Sequence, residues 1–251
     1  MASLLLSVLH KLSYHVGKTA PDHLHPLRKL YWYLTVHQPP LPKTLYDEID
    51  VVYQNIEHHP MTHFAIHPYQ PIKFHVWCGD ITQLQADAIV NAGNNQGLGC
   101  MNPSHRCIDN VIHEVAGPRL RLEESTVLCG QELPTGSAMI TQGYHLPARY
   151  VITTVGPIYE SHEKSSPLLI KAYVSCLEIA KHNRIQSLVF PSISTGLFRY
   201  PINDAALIAV KTVISWLKSD QNQHGLRLII FNTFDDQTTD IYRCLVPLMR
   251  L

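Results

Sequence analysis

The sequence has no excess of charge of either sign, little cysteine and no long apolar run. Its 251 residues carry 20 lysines and arginines against 20 aspartates and glutamates. No strong overall field therefore draws the protein to nucleic acid or to an anionic membrane, and we expect neither as a partner. Any phosphate group that it binds must be held by a specific site.

The apolar stretch at the beginning of the chain, MASLLLSVLHKL, is short. It has no basic leading segment, no small-residue cleavage site and too few apolar residues to cross a bilayer. We therefore expect an amphipathic helix here, in a cytoplasmic protein.

Cysteine is too sparse to indicate a disulfide framework. The six cysteines are spread over a chain that is large enough to bury a substantial core without covalent staples, so reduced thiols are expected. Four of them have apolar neighbours in sequence and are predicted to be core residues: Cys78, Cys129, Cys176 and Cys244.

The pattern of the chain changes near residue 70. Before it, apolar residues recur at helical spacing over 27–34 and again over 46–56, with prolines between the two runs. This predicts a helical extension over residues 1–70 and a second region over 71–251. Four aromatic residues of the extension are expected to be buried against that second region: Tyr31, Trp32, Tyr33 and Tyr46.

After residue 70, short apolar segments alternate with helical patterns. Six segments are typical of buried strands: KFHVWCGDI, ADAIVNAG, SAMIT, ARYVITTVG, SLVFPS and LRLIIFNT. The helices are clearest in SPLLIKAYVSCLEIAKHN and INDAALIAVKTVISWLKSD. Strands that alternate with helices predict an α/β sandwich around a mostly parallel sheet.

Three glycine-containing segments follow predicted strands: VNAGNNQGLG, TVGP and PSISTGLFRYP. In open parallel sheets, ligands bind beyond the carboxyl ends of the strands. Free backbone amides before a helix also suit phosphate, because they point at the anion. Each segment alone could be an ordinary turn, but together they predict a diphosphate-binding edge.

A cluster of cysteine and histidine lies in LGCMNPSHRCIDN, residues 98–110. Cys100, His105 and Cys107 are all soft or borderline metal ligands, and three ligands without a neighbouring fourth favour a catalytic zinc site with an open position. The alternative is a buried thiol pair beside a solvent-facing histidine. Cys129 is the candidate if a fourth ligand closes the site.

From about residue 72 onward, the sequence resembles the macrodomain family. The motifs that carry the resemblance are GDIT, AIVNAGNN, IDNVIHEVAGP, GYHLPARYVITTVGP and PSISTGLFRYP, which begin at residues 79, 88, 108, 143 and 191. The resemblance implies a three-layer α/β sandwich with a mixed, mostly parallel sheet, and a pocket for ADP-ribose.

The resemblance also implies the residues of that pocket. Asp80 would contact the adenine, the loop 194–198 the diphosphate, and Phe198 the distal ribose, with Asn95 and Asp109 nearby. The predicted substrate-binding set is Asp80, Ile81, Asn91, Ala92, Asn95, Ser194, Thr195, Gly196, Leu197, Phe198 and Asn232.

Many macrodomains carry a glycine run where this sequence has GLGCMNPSHRCIDN. Here it resembles the zinc-dependent branch of the family, which hydrolyses mono-ADP-ribose from proteins and carries an N-terminal helical extension. The resemblance implies one Zn²⁺ per chain on Cys100, His105 and Cys107, and a mono-ADP-ribosylated protein as substrate. The implied reaction is hydrolysis at the anomeric carbon of the distal ribose. Asn95 would orient the ribose, Asp109 would act as general base, and zinc would polarise a ribose oxygen or supply a hydroxide.

Two other functions remain open. A non-catalytic ADP-ribose reader would keep the phosphate loops and use zinc only to shape the pocket. A structural zinc with four protein ligands would instead leave the extension as a surface for docking a partner. A group of histidines in the extension is expected to have no function: His58, His59, His63 and His67.

Overall fold

The computed structural model describes residues 2–56, 61–66, 71–219 and 225–249. The predicted boundary at residue 70 lies outside these ranges, as do His58, His59 and His67. His63 is described and lies in a short strand.

The N-terminal extension forms three helices: α1 (Ala2–Val16), α2 (Pro26–Val36) and α3 (Lys43–Gln54). Both predicted helical runs are therefore confirmed. In α1, the buried residues are Leu5, Val8, Leu9 and Leu12, whose spacing of three and four places them on one face. Proline occupies the first turn of α2, where its missing N–H costs no helical hydrogen bond.

The rest of the chain alternates strands and helices. Its elements are β1 (Thr62–His63), β2 (Lys73–Cys78), β3 (Leu84–Gln85), β4 (Ala88–Ala92), α4 (Ile108–Ala116), α5 (Pro118–Leu128), β5 (Ala138–Gln142), β6 (Tyr150–Thr154), α6 (His162–His182), β7 (Ser187–Phe190), α7 (Ile202–Ser219), β8 (Leu228–Thr233) and α8 (Asp236–Leu245). Two 3₁₀ turns span Ile81–Gln83 and Val246–Met249. No helix in these described parts is long and apolar enough to span a membrane.

Six strands form the central sheet in the order β2-β8-β7-β4-β6-β5. Every neighbouring pair is parallel except β5 with β6, so the predicted mixed, mostly parallel sheet is confirmed. The carboxyl ends of the five parallel strands therefore meet at one edge. The short strand β1 pairs with β3 outside this sheet, which places residues 61–66 beside the sheet and not among the helices of the extension.

The sheet is buried on both faces. Helices α6, α7 and α8 cover one face, where Tyr173, Phe190 and Phe231 belong to one apolar cluster. The other face packs against α4 and α5, where Ile89, Ile112 and Leu120 form a second cluster. This is a three-layer α/β sandwich.

The prediction that four cysteines lie in the core is wrong for three of them. Cys176 on α6 is fully buried, whereas Cys78, Cys129 and Cys244 are exposed. The exposed thiols lie at or next to the ends of β2, α5 and α8. Apolar neighbours in sequence indicated burial. The last residues of a strand or helix can nevertheless extend beyond its packed part and become exposed.

The extension has a core of its own and also contacts the sandwich. Tyr33 and Tyr46 are buried in its core, while Tyr31 and Trp32 are half-buried at its margin. Leu122 of α5 packs against the same cluster, which joins the two regions through apolar contact.

Polar contacts strengthen this junction. The hydroxyl of Tyr53 donates to the backbone oxygen of Glu114 at 2.7 Å. Arg119 of α5 pairs with Asp50 at 2.6 Å and with Asp47 at 2.7 Å, both on α3. The described helices of the extension are therefore docked by packing and by ion pairs together.

We expect Leu30→Ala to lower the free energy of unfolding of the whole protein by about 3 kcal/mol, because a fully buried leucine leaves a cavity. Thermal unfolding followed by calorimetry should remain a single transition at a lower Tm. Leu6→Ala is the matched control, since Leu6 is 60% exposed. A separate early transition of the extension, with the main Tm unchanged, would show that the extension is not coupled to the sandwich.

Candidate functional site

A cleft of about 480 Å³ opens at the edge where the parallel strands end. All three predicted phosphate-loop segments reach it, through Gly93, Gly156 and Ser194. The start of α4 closes the side that carries Cys107 and Asp109. The parallel topology thus brings together segments that are far apart in sequence.

Most of the predicted site residues line this cleft: Asp80, Ile81, Ala92, Cys100, His105, Cys107, Asp109, Ser194, Thr195, Gly196, Leu197, Phe198 and Asn232. Asn91 and Asn95 are not among its lining residues. Sequence reasoning missed Asn94, Arg106 and Phe234, which line the cleft.

The loop after β7 is the part most suited to phosphate. Ser194 adopts a left-handed backbone with φ 68°, and the amide of Tyr200 donates to the Ser194 carbonyl at 3.0 Å. The Ser194 hydroxyl is buried and has no hydrogen-bond partner in the described chain. A Cβ at Gly156 would lie 2.1 Å from this hydroxyl, so only glycine fits beside it. A bound anion would give this hydroxyl a partner.

Another part of the cleft, after β2, is arranged around Asp80. One oxygen of the Asp80 carboxylate accepts from the Thr82 amide at 3.0 Å and from the Thr82 hydroxyl at 2.7 Å. The side chain of Asn232 donates to the Gly79 carbonyl at 2.9 Å. Asn232 therefore holds the turn that presents Asp80. Phe234 is 83% exposed in this part of the cleft and offers an aromatic face to a ligand.

Asn94, and not the predicted Asn95, lies in the cleft. Asn94 is half-buried, its Oδ1 accepts from the Gln96 amide at 2.9 Å, and its Nδ2 donates to the Gly99 carbonyl at 3.2 Å. Asn95 is exposed, and its carbonyl accepts from the Leu133 amide at 2.8 Å. The two asparagines are adjacent in sequence, and only the path of the turn after β4 distinguishes them.

Asp109 belongs to a closed ring of buried polar side chains. Asn91 donates to Asp109 Oδ1 at 2.8 Å, and His113 Nδ1 lies 3.2 Å from the same oxygen. His113 Nε2 lies 2.8 Å from Glu124 Oε2. Thr153 donates to the other Glu124 oxygen at 3.1 Å and lies 3.4 Å from Asn91 Nδ2. Asn91 was predicted to contact substrate, and here it supports Asp109 from beneath the cleft.

The ring holds a protonated histidine. Burial alone would lower the pKa of His113, but the facing carboxylates of Glu124 and Asp109 outweigh burial and raise this pKa to about 10. His113 and Glu124 were not predicted as site residues, because their role depends on contacts between α4 and α5.

The predicted metal ligands come together at the wall of the cleft. The ligand atoms of Cys100, His105 and Cys107 all lie within 4.8 Å of one another, and Cys100 Sγ is 3.5 Å from His105 Nδ1. Cys129 does not join this group in the described chain. Two sulfurs and one imidazole are a donor set that suits zinc, and three protein ligands leave one position open.

Cys107 also begins α4. Its Sγ accepts from the Asn110 amide at 3.4 Å, as an N-cap does. Burial nevertheless raises the pKa of the Cys107 thiol to about 12, and Asp109 and Cys100 add to the rise. Burial therefore outweighs the hydrogen bond from the Asn110 amide, which lowers this pKa.

Comparison with known proteins identifies the family. A family model described as Macro domain matches residues 90–209. A curated protein-ADP-ribose hydrolase of Staphylococcus aureus strain Mu50 is 38% identical over 233 residues, which cover 89% of this chain and 86% of that protein. The chain belongs to the macrodomain family. A protein of the same name from Treponema medium is 44% identical over 177 residues, covering 69% of this macrodomain chain and 67% of that protein.

Solved macrodomain structures share the fold. A mutant Oceanobacillus iheyensis macrodomain with ADPR has a TM-score of 0.63 and 36% identity, covering 74% of this chain and 97% of that one. The Trypanosoma brucei macrodomain in complex with ADP-ribose has a TM-score of 0.66 and 28% identity, covering 92% and 97%. The predicted macrodomain architecture is confirmed. None of these names refers to zinc, so the zinc-dependent branch stays a prediction.

We expect Glu124→Gln to lower the free energy of unfolding of this macrodomain by about 3 kcal/mol near neutral pH, because it leaves the buried His113 charge with one carboxylate fewer. The pKa of His113 is about 10 in the fold, against 6.5 for an unperturbed histidine. The stability from its protonation is complete below about pH 6.5 and disappears as the pH rises towards 10. Denaturant unfolding at several pH values should therefore show the deficit of Glu124→Gln shrinking above pH 7.

Glu132→Gln is the matched control, since Glu132 is exposed and its carboxylate accepts a hydrogen bond from the Gln96 side chain. It should change stability by less than about 0.5 kcal/mol at any pH in that range. A deficit for Glu124→Gln that did not vary with pH would contradict a protonated His113.

Proposed function

We propose that this macrodomain is a zinc-dependent hydrolase that removes mono-ADP-ribose from modified proteins, acting at the anomeric carbon of the distal ribose. The relatives confirm the prediction that the protein is an enzyme of the protein-ADP-ribose hydrolase class. The observation that supports zinc-dependent hydrolysis is that Asp109 lines the same cleft as the gathered donors Cys100, His105 and Cys107.

The substrate is held mainly by the ends of the strands. Residues 194–198 line the cleft, and backbone amides of this loop would suit the diphosphate, which would also give the buried Ser194 hydroxyl a partner. Asp80 and Phe198 line the cleft, and we propose that Asp80 accepts from the adenine and that Phe198 packs against the distal ribose. These contacts bind the ground state and need no metal.

Asp109 is the group proposed to align and deprotonate the attacking water. Its orientation is set by Asn91 at 2.8 Å and by His113 at 3.2 Å. Asn94, on the loop beside it, is proposed to orient the ribose in place of Asn95. When bound, zinc supplies Lewis-acid polarisation to oxygens in the cleft.

A non-catalytic reader is the second candidate, because a cleft that binds ADP-ribose by its backbone needs no metal to do so. A purely structural zinc is less favoured, since only three donors gather within the described residues. The two candidates differ in what happens when the metal is removed. A reader either keeps its affinity for ADP-ribose or loses it because the pocket changes shape, whereas the hydrolase loses its rate of hydrolysis.

We expect Cys107→Ser to reduce hydrolysis of a mono-ADP-ribosylated protein by at least about a hundredfold, with ADP-ribose affinity within about tenfold of the wild type. Serine keeps an oxygen at the start of α4 that can accept from Asn110, but it is a poor zinc ligand. Calorimetric titration with ADP-ribose and a time course of release on the same preparation measure both quantities.

Cys129→Ser is the matched control, because Cys129 is an exposed cysteine outside the metal group. It should retain metal, affinity and rate. Equal losses of ADP-ribose affinity and hydrolysis rate in Cys107→Ser would show that zinc maintains the shape of the pocket. An absence of turnover by the zinc-loaded wild type on every linkage would favour the reader.

A further inference from the structure

We propose that the N-terminal extension forms part of the construction of the metal site, and that Arg121 is the positioning residue that connects the two. The guanidinium of Arg121 joins the end of α2 to the backbone that precedes Cys100. The inference rests on the proposed function only in assigning Cys100 to zinc, since the link itself is a matter of contacts.

Arg121 makes hydrogen bonds to both regions. It is 1% exposed on α5, and its Nε donates to the Leu98 carbonyl at 2.7 Å. Its Nη1 donates to the Leu34 carbonyl and, at 3.2 Å, to the His37 carbonyl, both at the end of α2. One planar group thus holds two segments that are more than sixty residues apart in sequence.

The end of α2 needs this cation. The last turn of α2 contains no basic residue, and the carbonyls at a helix C-terminus carry partial negative charge. His37 cannot supply the charge, because burial and the neighbouring Arg121 lower its pKa to about 3. Arg121 is therefore the positive group at this helix end, and a buried guanidinium is tolerated only where its donors are satisfied.

The other end of the link is close to the metal ligands. Leu98 precedes Cys100 by two residues, and Gly99 between them has φ 80°. A Cβ at Gly99 would lie 3.0 Å from the ring of His113. The carbonyl of Gly99 accepts a hydrogen bond from the Asn94 side chain. The backbone before Cys100 is therefore held by Arg121, by Asn94 and by contact with His113. A shift of the α2 end moves one of these three supports.

Arg119 offers a matched comparison on the same helix. It also joins α5 to the extension, through Asp47 and Asp50 of α3, but the described contacts include none between Arg119 and the loop that carries Cys100. A general role in docking the extension belongs to both arginines. Of the two arginines, Arg121 is the one whose described contacts include the backbone near Cys100.

The test compares Arg121→Lys with Arg119→Lys in the full chain. The first readout is the alkylation rate of Cys100 by a maleimide in chelator-treated protein, resolved by peptide mass spectrometry with the exposed Cys129 as internal reference. The second is zinc affinity, measured by competition with a chromophoric chelator. The third is ADP-ribose affinity by calorimetry.

We expect Arg121→Lys to raise the Cys100 alkylation rate and to weaken zinc binding by at least about tenfold, the usual effect of losing an outer support of a metal ligand. ADP-ribose affinity should stay within about twofold, because Leu98, which accepts from Arg121, is not among the residues that line the cleft, and the described contacts include none between Arg121 and the loop 194–198. Arg119→Lys should lower Tm without changing either Cys100 readout. Equal effects of the two variants, or a parallel fall of zinc and ADP-ribose affinity, would overturn the proposal and leave a merely structural arginine.

The zinc and thiol readouts test separately whether the site binds zinc and whether Arg121 positions Cys100. If the wild type bound no zinc, the metal assignment would fall, while the alkylation rates would still decide the role of Arg121. If Arg121→Lys did not fold, hydrogen exchange of the wild type decides instead. Backbone amides at the end of α2 and in residues 97–101 should then show the same protection factor, because the two segments would open together. Unequal protection of the two segments would contradict the proposed link.

Discussion

His113 lies between two carboxylates inside the protein, 3.2 Å from Asp109 and 2.8 Å from Glu124. A buried charge is tolerated only when its partners are in place, and breaking such a group is costly. The ring that satisfies His113 fixes β4, β6, α4 and α5 relative to one another, because each contributes one or two of its members. The same contacts orient Asp109 at the cleft, so the stability of this region and the geometry of the site have one cause.

A second buried cation lies beside the first. Arg121 is enclosed by backbone carbonyls from the extension and from the metal loop, where His113 is enclosed by carboxylates. Both cations are on the helices α4 and α5, on the face of the sandwich that receives the extension. The extension therefore covers charges that would otherwise meet solvent, and its neutral His37 adds no competing charge.

In the cleft, the groups suited to ligand binding and the groups suited to chemistry come from different segments. Backbone groups after β7 and the side chains around Asp80 offer a ligand contacts that come from strand ends and turns. The groups capable of acid–base or metal chemistry come from the loop 98–107 and from the first turn of α4. A parallel sheet brings these two sets to one edge, because all of its strand ends point the same way.

Sequence patterns located the helices of the extension, the six strands of the sheet and the Cys-His-Cys cluster, since each depends on spacing within a short segment. They placed three exposed cysteines in the core and did not point to Asn94, which lines the cleft where Asn95 does not. Burial at the end of an element and the direction of a turn depend on what packs around them.

What the sequence determined by itself was local: the periodicity of the helices, the glycines of the phosphate loops, and three ligands within eight positions. Only the tertiary structure decided that Glu124 and Thr153 complete the support of Asp109, and that Arg121 joins α2 to Leu98. The physical reason is that a buried charge must find partners wherever the fold brings them. Those partners come from elements far apart in the chain, and no local pattern records the pairing.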